Sequence, residues 1–174
     1  QNCLSNIKIL DACVRAKVKK YIFPSSIYVN GNYGGFYNIS KKTNELIIKE
    51  YYRKYKLDFL IFRYGSLFGP GADDKNGLYK IILRVLKDKK IYLLNDDNIS
   101  RSFINVLDAA RFTNDYIFQN KVKNKIINIV GTEKFKLNEV LILISKILKL
   151  KISRKKIKNL YLGRLNYATT PHQI

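Results

Sequence analysis

Tyr37 and Lys41 stand four residues apart in the stretch "FYNISKK", and two serines, Ser25 and Ser26, close the apolar run "VKKYIFPSS" shortly before them. On a helix, that spacing puts a phenol and an ammonium on one face, one turn apart. A phenol with an ordinary pKa near 10 exchanges protons poorly at neutral pH. A cation held near its oxygen favours the phenolate and brings that pKa down, more so where water is excluded. A serine hydroxyl from a neighbouring strand end adds a hydrogen bond to a reacting oxygen. Tyr, Lys and Ser so placed form an acid/base unit for interconverting an alcohol and a ketone beside a hydride carrier. The same stretch also reads as a strand, a turn and an amphipathic helix that opens with an aromatic. YxxxK alone is a weak signal among 13 tyrosines and many lysines.

The elements that would position these groups alternate along the chain. Residues 3–16 carry apolar side chains at broadly helical spacing (Leu4, Ile7, Leu10, Val14), and "VKKYIFPSS" (18–26) reads as a strand that Pro24 closes. A helix is predicted over 37–55. "LDFLIFRYG" (57–65) is continuously apolar, as in a strand buried on both faces of a parallel sheet. Helices follow at about 77–88, 106–119 and 137–148, with strands at "KIYLL" and "KIINIV", and the chain past 150 reads as basic and irregular. Such alternation predicts an α/β fold with a mostly parallel sheet. Functional groups in open sheets of this kind gather at the carboxyl ends of strands, where Ser25 and Ser26 fall.

Composition narrows the classes. At 174 residues with 47% apolar side chains, the chain can bury one proper core. No apolar run reaches the roughly 20 residues of a membrane span. Cys3 and Cys13 fall on one predicted helix, on the order of 15 Å apart, too far to pair, which suits a reducing cytoplasmic setting. One His and two separated Cys offer no metal site. The formal charge of +20 raises nucleic acid as a partner. The lysines, however, are scattered among many Asn, Ile and Tyr, as AT-rich codons alone would produce. The one local asymmetry lies from residue 140 onward, with eight Lys or Arg and no acid.

Several ordered segments resemble the extended short-chain dehydrogenases/reductases, in particular the NAD-dependent epimerase/dehydratase group acting on nucleotide sugars. "NCLSNIKILDAC" is similar to that group's "NVxGTxxLLxA", "VKKYIFPSSIYVNG" to "VKRFVYxSSxxVYG", and "YNISKKTNE" to "YGxSKxxxE". "FRYGSLFGPG" resembles "LRxxNVYGPG", "SRSFINVLDAARF" resembles "xRDFIxVxDVAxA", and "INIVGTEKFKLNEVLILISKIL" resembles "NIGxGxxxSxxELxxxI". The resemblance implies Ser26, Tyr37 and Lys41 as the catalytic set. It implies Asn2, Pro24, Ser25, Tyr37, Lys41 and Tyr64 around NAD or NADP, and Ser26, Ser66, Arg101 and Arg164 toward a nucleotide-sugar substrate. Arg101 falls on the arginine for the nucleotide diphosphate, and Asp108 reads as a helix-opening cap. Ser66 departs from the family's Asn.

The resemblance implies further that residues 1–68 form the second half of a Rossmann-type cofactor domain, sharing strands up to about 130, with 69–174 mainly substrate-binding. It also implies a homodimer through a four-helix bundle. Leu46, Ile47, Ile48, Tyr51, Tyr52 and Tyr55 wrap more of their helix than one buried stripe needs. Three departures stand out. No GxxGxxG occurs in the 174 residues, so the phosphate-loop half of the doubly wound sheet is expected to be missing and the chain to be a piece of something longer. Ten residues separate Ser26 from Tyr37, fewer than in many relatives, which implies a reshaped sugar pocket. Ile27-Tyr28 stands where sugar 4,6-dehydratases carry Asp-Glu, which argues against water elimination. The expectation is an epimerase or keto-reductase. A non-catalytic member or gene remnant, and a polyanion-binding protein, are the alternatives; no nucleic-acid or membrane partner is expected.

Overall fold

The computed structural model describes residues 2–31, 34–95, 100–119 and 121–157. In chain order these form α1 (Asn2–Arg15), β1 (Lys20–Ser26), a short 3-10 turn (Ile27–Asn30), α2 (Gly35–Tyr55), β2 (Asp58–Tyr64), β3 (Ser66–Phe68), α3 (Gly77–Asp88), β4 (Ile91–Leu94), β5 (Ser100–Asn105), α4 (Val106–Phe118), β6 (Lys125–Ile129), β7 (Lys134–Lys136), α5 (Leu137–Leu148) and β8 (Ile152–Ile157).

β2 organises the first layer. It pairs in parallel with β1 on one side, placing Ser26 beside Tyr64, and with β6 on the other. Its run Phe59–Phe62 is buried throughout because both faces are covered. Phe59 and Ile61 pack with Leu10, Phe23 and Ile48 under α1 and α2, while Leu60 and Phe62 pack with Ile127, Ile129 and Ala109 under α4. Successive strand side chains point to opposite faces, so one apolar run serves two cores. Complete burial of Leu60, Ile61 and Phe62 contributes about 1.5–3 kcal/mol each. Pro24 does not close β1 as the sequence suggested. It lies inside the strand, in register with Phe62; β1 is an edge strand among the described residues, where a missing N–H is tolerated.

A second layer begins where β2 ends. β3, β5 and β7 form one small sheet, with β5 central, parallel to β3 and antiparallel to β7. Its apolar partner is a cluster of Ile81 and Val85 from α3, Ile91 and Leu94 from β4, and Leu137, Leu141 and Ile144 from α5. β8 pairs with β4, so residues 152–157 are strand where the sequence read as irregular. Gly131 marks the seam between the layers: a Cβ there would run into the Phe103 carbonyl of β5, so only glycine fits. The α4 cap also differs from expectation. Asn105, not Asp108, caps the helix, its side chain accepting from Leu107 N at 2.9 Å, because the helix starts at Val106 and leaves Asp108 in its first turn.

α1 and α2 lie side by side. The Tyr51 hydroxyl donates to Asp11 Oδ1 at 2.6 Å, and that bond, helped by burial, pushes the phenol up to about 12. Both cysteines are free thiols. No helix among the described residues is long and apolar enough to cross a membrane.

Candidate functional site

The carboxyl end of β1 delivers Pro24, Ser25 and Ser26 to one place, and α2 passes over it with Tyr37 and Lys41 on the facing stripe. Lys41 Nζ donates to the Pro24 carbonyl at 2.6 Å. It also stands 4.9 Å from the Phe23 ring centre and 5.8 Å from that of Tyr37. Burial pushes the Lys41 ammonium below the ordinary lysine range, since a half-desolvated cation is disfavoured. The carbonyl bond uses one of its three N–H donors. Tyr37 is 47% exposed. Its ring meets Tyr28 edge-on at 6.2 Å between centres. Ser26 is buried, and its Oγ accepts from Tyr28 N at 3.4 Å, capping the turn.

The structure thus ties Lys41 to Pro24 and sets Tyr37 against Tyr28, whose backbone N–H is bonded to Ser26 at the same strand end. A phenol beside a cation, with a serine hydroxyl at the strand end, is an acid/base arrangement able to move a proton on and off a carbinol oxygen. Ser25 sits with them, but its hydroxyl is engaged within the fold, donating to Glu45 Oε1 at 2.5 Å. Asn2 opens α1, and its side chain is not among those described. Tyr64 is not brought to the α2 side. With Leu60 and Phe62 it faces α4, where its hydroxyl bonds Thr113 Oγ1 at 2.8 Å.

A second group lies on the small sheet. Ser66 is in register with Phe103, two residues after Arg101 on the adjacent strand. Arg101 is 7% exposed, and its Nη1 lies 3.6 Å from where a Cβ on Gly77 would stand. Its guanidinium therefore runs beneath the first turn of α3, whose N-cap is Asn76. A guanidinium and a helix N-terminus are two features that favour an anion. Tyr64–Gly65–Ser66 links this group to the first through the backbone. Arg164 lies outside the described residues.

Sequence reasoning gave no role to three residues beside the first group, although two of them, Glu45 and Arg63, fall on fixed letters of the resembling segments. Glu45 is 3% exposed and takes both Nε and Nη2 of Arg63, at 2.9 and 2.6 Å, while Arg63 Nη1 donates to Asn30 Oδ1 at 2.8 Å. Two signals could have found them. Glu45 continues the four-residue spacing of Tyr37 and Lys41, and Arg63 is a charge at the end of a buried apolar strand.

Residues 1–130 match the NAD dependent epimerase/dehydratase family. The chain belongs to that family. An alignment of 156 positions, covering 80% of this chain, gives 29% identity to a Methanocaldococcus jannaschii protein provisionally named UDP-glucose 4-epimerase, of which 50% is covered. The fold of this family member superimposes on that of UDP-glucuronic acid 4-epimerase from Bacillus cereus, crystallised with UDP-glucuronic acid and NAD. The TM-score is 0.81 at 22% identity, covering 92% of this chain and 55% of that one. UDP-glucose 4-epimerase from Thermotoga maritima, crystallised with UDP-glucose, gives 0.75 at 20% identity, covering 95% and 60% respectively. The chain spans about half the length of the curated relatives it matches. The expected Rossmann-type α/β architecture is borne out by these superpositions and by the parallel β1–β2–β6 sheet.

Proposed function

We propose that this protein is an NAD-dependent nucleotide-sugar epimerase, with Tyr37 as acid/base, Lys41 as its electrostatic partner and Ser26 as hydrogen-bond donor to the reacting sugar oxygen. The observation that carries the reading is Lys41, held on the Pro24 carbonyl and 5.8 Å from the Tyr37 ring. NAD, when bound, supplies the hydride acceptor and donor. The residues present fit its nicotinamide-ribose end: Lys41 keeps donors for ribose hydroxyls, and Tyr37 is open beside them. No glycine fingerprint for the pyrophosphate occurs in the 174 residues, so none of them is assigned to that contact. Residues 1–68 with β6 are the cofactor side and 69–174 mainly the substrate side, where Arg101 under α3 takes the nucleotide diphosphate. Ile27-Tyr28 supplies no carboxyl pair for elimination, which favours epimerisation over dehydration. The 4-epimerases among the relatives support the same choice.

The substrate class is tested by thermal protection of the intact protein. UDP-, GDP- or dTDP-sugars at millimolar concentration raise the unfolding temperature, and duplex DNA does not. Protection by DNA alone would place the charge of +20 in a nucleic-acid role and remove the enzyme reading.

Self-association belongs to the same proposal. Leu46 and Ile39 on α2 and Leu4 and Ile9 on α1 are more than half exposed, on neighbouring helices. A two-fold pairing of α1 and α2 with a second copy covers such residues in a four-helix bundle. Sedimentation of the intact protein at tens of micromolar should show a dimer; a monomer at that concentration would refute the bundle.

A further inference from the structure

We infer that Glu45 and Arg63, with Asn30, are positioning residues that set the distance between the Ser26 strand end and the Tyr37–Lys41 helix. The inference rests on the reading under Proposed function. Glu45 is a fully enclosed carboxylate on the stripe of α2 that carries Tyr37 and Lys41. Desolvating such a group costs several kcal/mol, which apolar side chains would avoid, so its partners explain its presence. Those partners come from two other elements, and Arg63 extends the tie to a third. Arg63 of β2 grips both carboxylate oxygens, Ser25 of β1 donates to Oε1, and Arg63 also holds Asn30 at the end of the 3-10 turn. A bidentate guanidinium–carboxylate pair fixes orientation as well as distance.

The consequence falls on the segment between strand and helix. Pro24 is bound by Lys41, Ser25 by Glu45, Asn30 by Arg63, and the Gly31 carbonyl by Asn38 Nδ2 at 2.7 Å. Ser26 sits inside that set of ties, with its own hydroxyl capping the turn. Ser26 therefore cannot shift against Tyr37 without breaking at least one of them. A misplacement of about 1 Å between reacting groups can cost on the order of 100-fold in rate, so the ties bear on turnover more than on ligand affinity.

The test compares Glu45→Leu/Arg63→Met, which replaces the pair by apolar side chains of similar volume, with Asn30→Ala, which leaves the pair intact. Four quantities are read in the intact protein: kcat and KM for the sugar nucleotide, NAD affinity, and amide hydrogen exchange over residues 26–38. The double variant is expected to lose about tenfold or more in kcat, with NAD affinity within about threefold and the melting temperature little changed. Asn30→Ala is expected to show a smaller loss in the same direction, and both to exchange faster over 26–38. A folded double variant with wild-type kcat and wild-type exchange overturns the inference. If the double variant does not fold, Asn30→Ala carries the test on the same two criteria. Tyr37→Phe in the same assays separates the failures. Activity retained there sinks the functional reading, whereas activity lost there but kept in the positioning variants sinks only this inference. The exchange measurement reads the ties without any substrate.

Discussion

Tyr37→Phe in the intact protein lowers turnover by on the order of 10²–10⁴, the usual contribution of a general acid–base group, and leaves NAD affinity within a few-fold. Only the phenolic oxygen is removed. The ring keeps its edge contact with Tyr28. Lys41 keeps its bond to the Pro24 carbonyl, so the donors offered to a ribose are unchanged. Steady-state kinetics together with calorimetric titration of NAD check both halves. More than half of wild-type activity in the variant would remove Tyr37 from the mechanism.

The second large effect is on substrate binding. Arg101→Ala raises KM for the sugar nucleotide by roughly 10- to 100-fold, the loss of a charge-assisted contact of about 1.5–3 kcal/mol. The placement favours so large a value. Arg101 is almost completely enclosed under the first turn of α3, where little water screens its charge. Neutralising exposed lysines such as Lys87, Lys89 and Lys90 at the other end of that helix should change KM by less than about twofold, because solvent screens them. Equal effects from Arg101 and from the exposed lysines would show that overall charge, rather than a site, binds the anion.

Legibility in the sequence followed the strength of the local pattern. β2 and α2 were readable because one is an unbroken apolar run and the other a long periodic segment. β3 and β7, three residues each, carry too little pattern to stand out. β5 reads as polar, "SRSFIN", yet Arg101 and Ser102 are buried, since a central strand under a helix encloses whatever side chains it carries. β8, "ISRKKI", has a basic middle and is strand through its pairing with β4. At the site, Tyr37, Lys41 and Ser26 could be assembled from spacing and family resemblance. Tyr64 could not be placed, because its face depends on the strand's register relative to the two helical layers. Glu45 and Arg63 fall on fixed letters of two of the resembling segments, the final E of "YGxSKxxxE" and the R of "LRxxNVYGPG", but neither segment says that the two meet. A charge in a helix or at a strand end ordinarily reads as a solvated group, and only the packed fold shows Arg63 gripping an enclosed Glu45.

The most direct test of the account is turnover followed by proton NMR in deuterated buffer. A UDP-hexose is incubated with the intact protein and NAD, and both the C4 configuration and the solvent deuterium content of the sugar are read. The account predicts that the 4-epimer accumulates toward equilibrium with no solvent deuterium at C4, because the hydride that leaves that carbon is the one that returns. A dehydrated product carrying solvent deuterium, or no conversion of any UDP-, GDP- or dTDP-sugar by a protein that binds NAD, would contradict it.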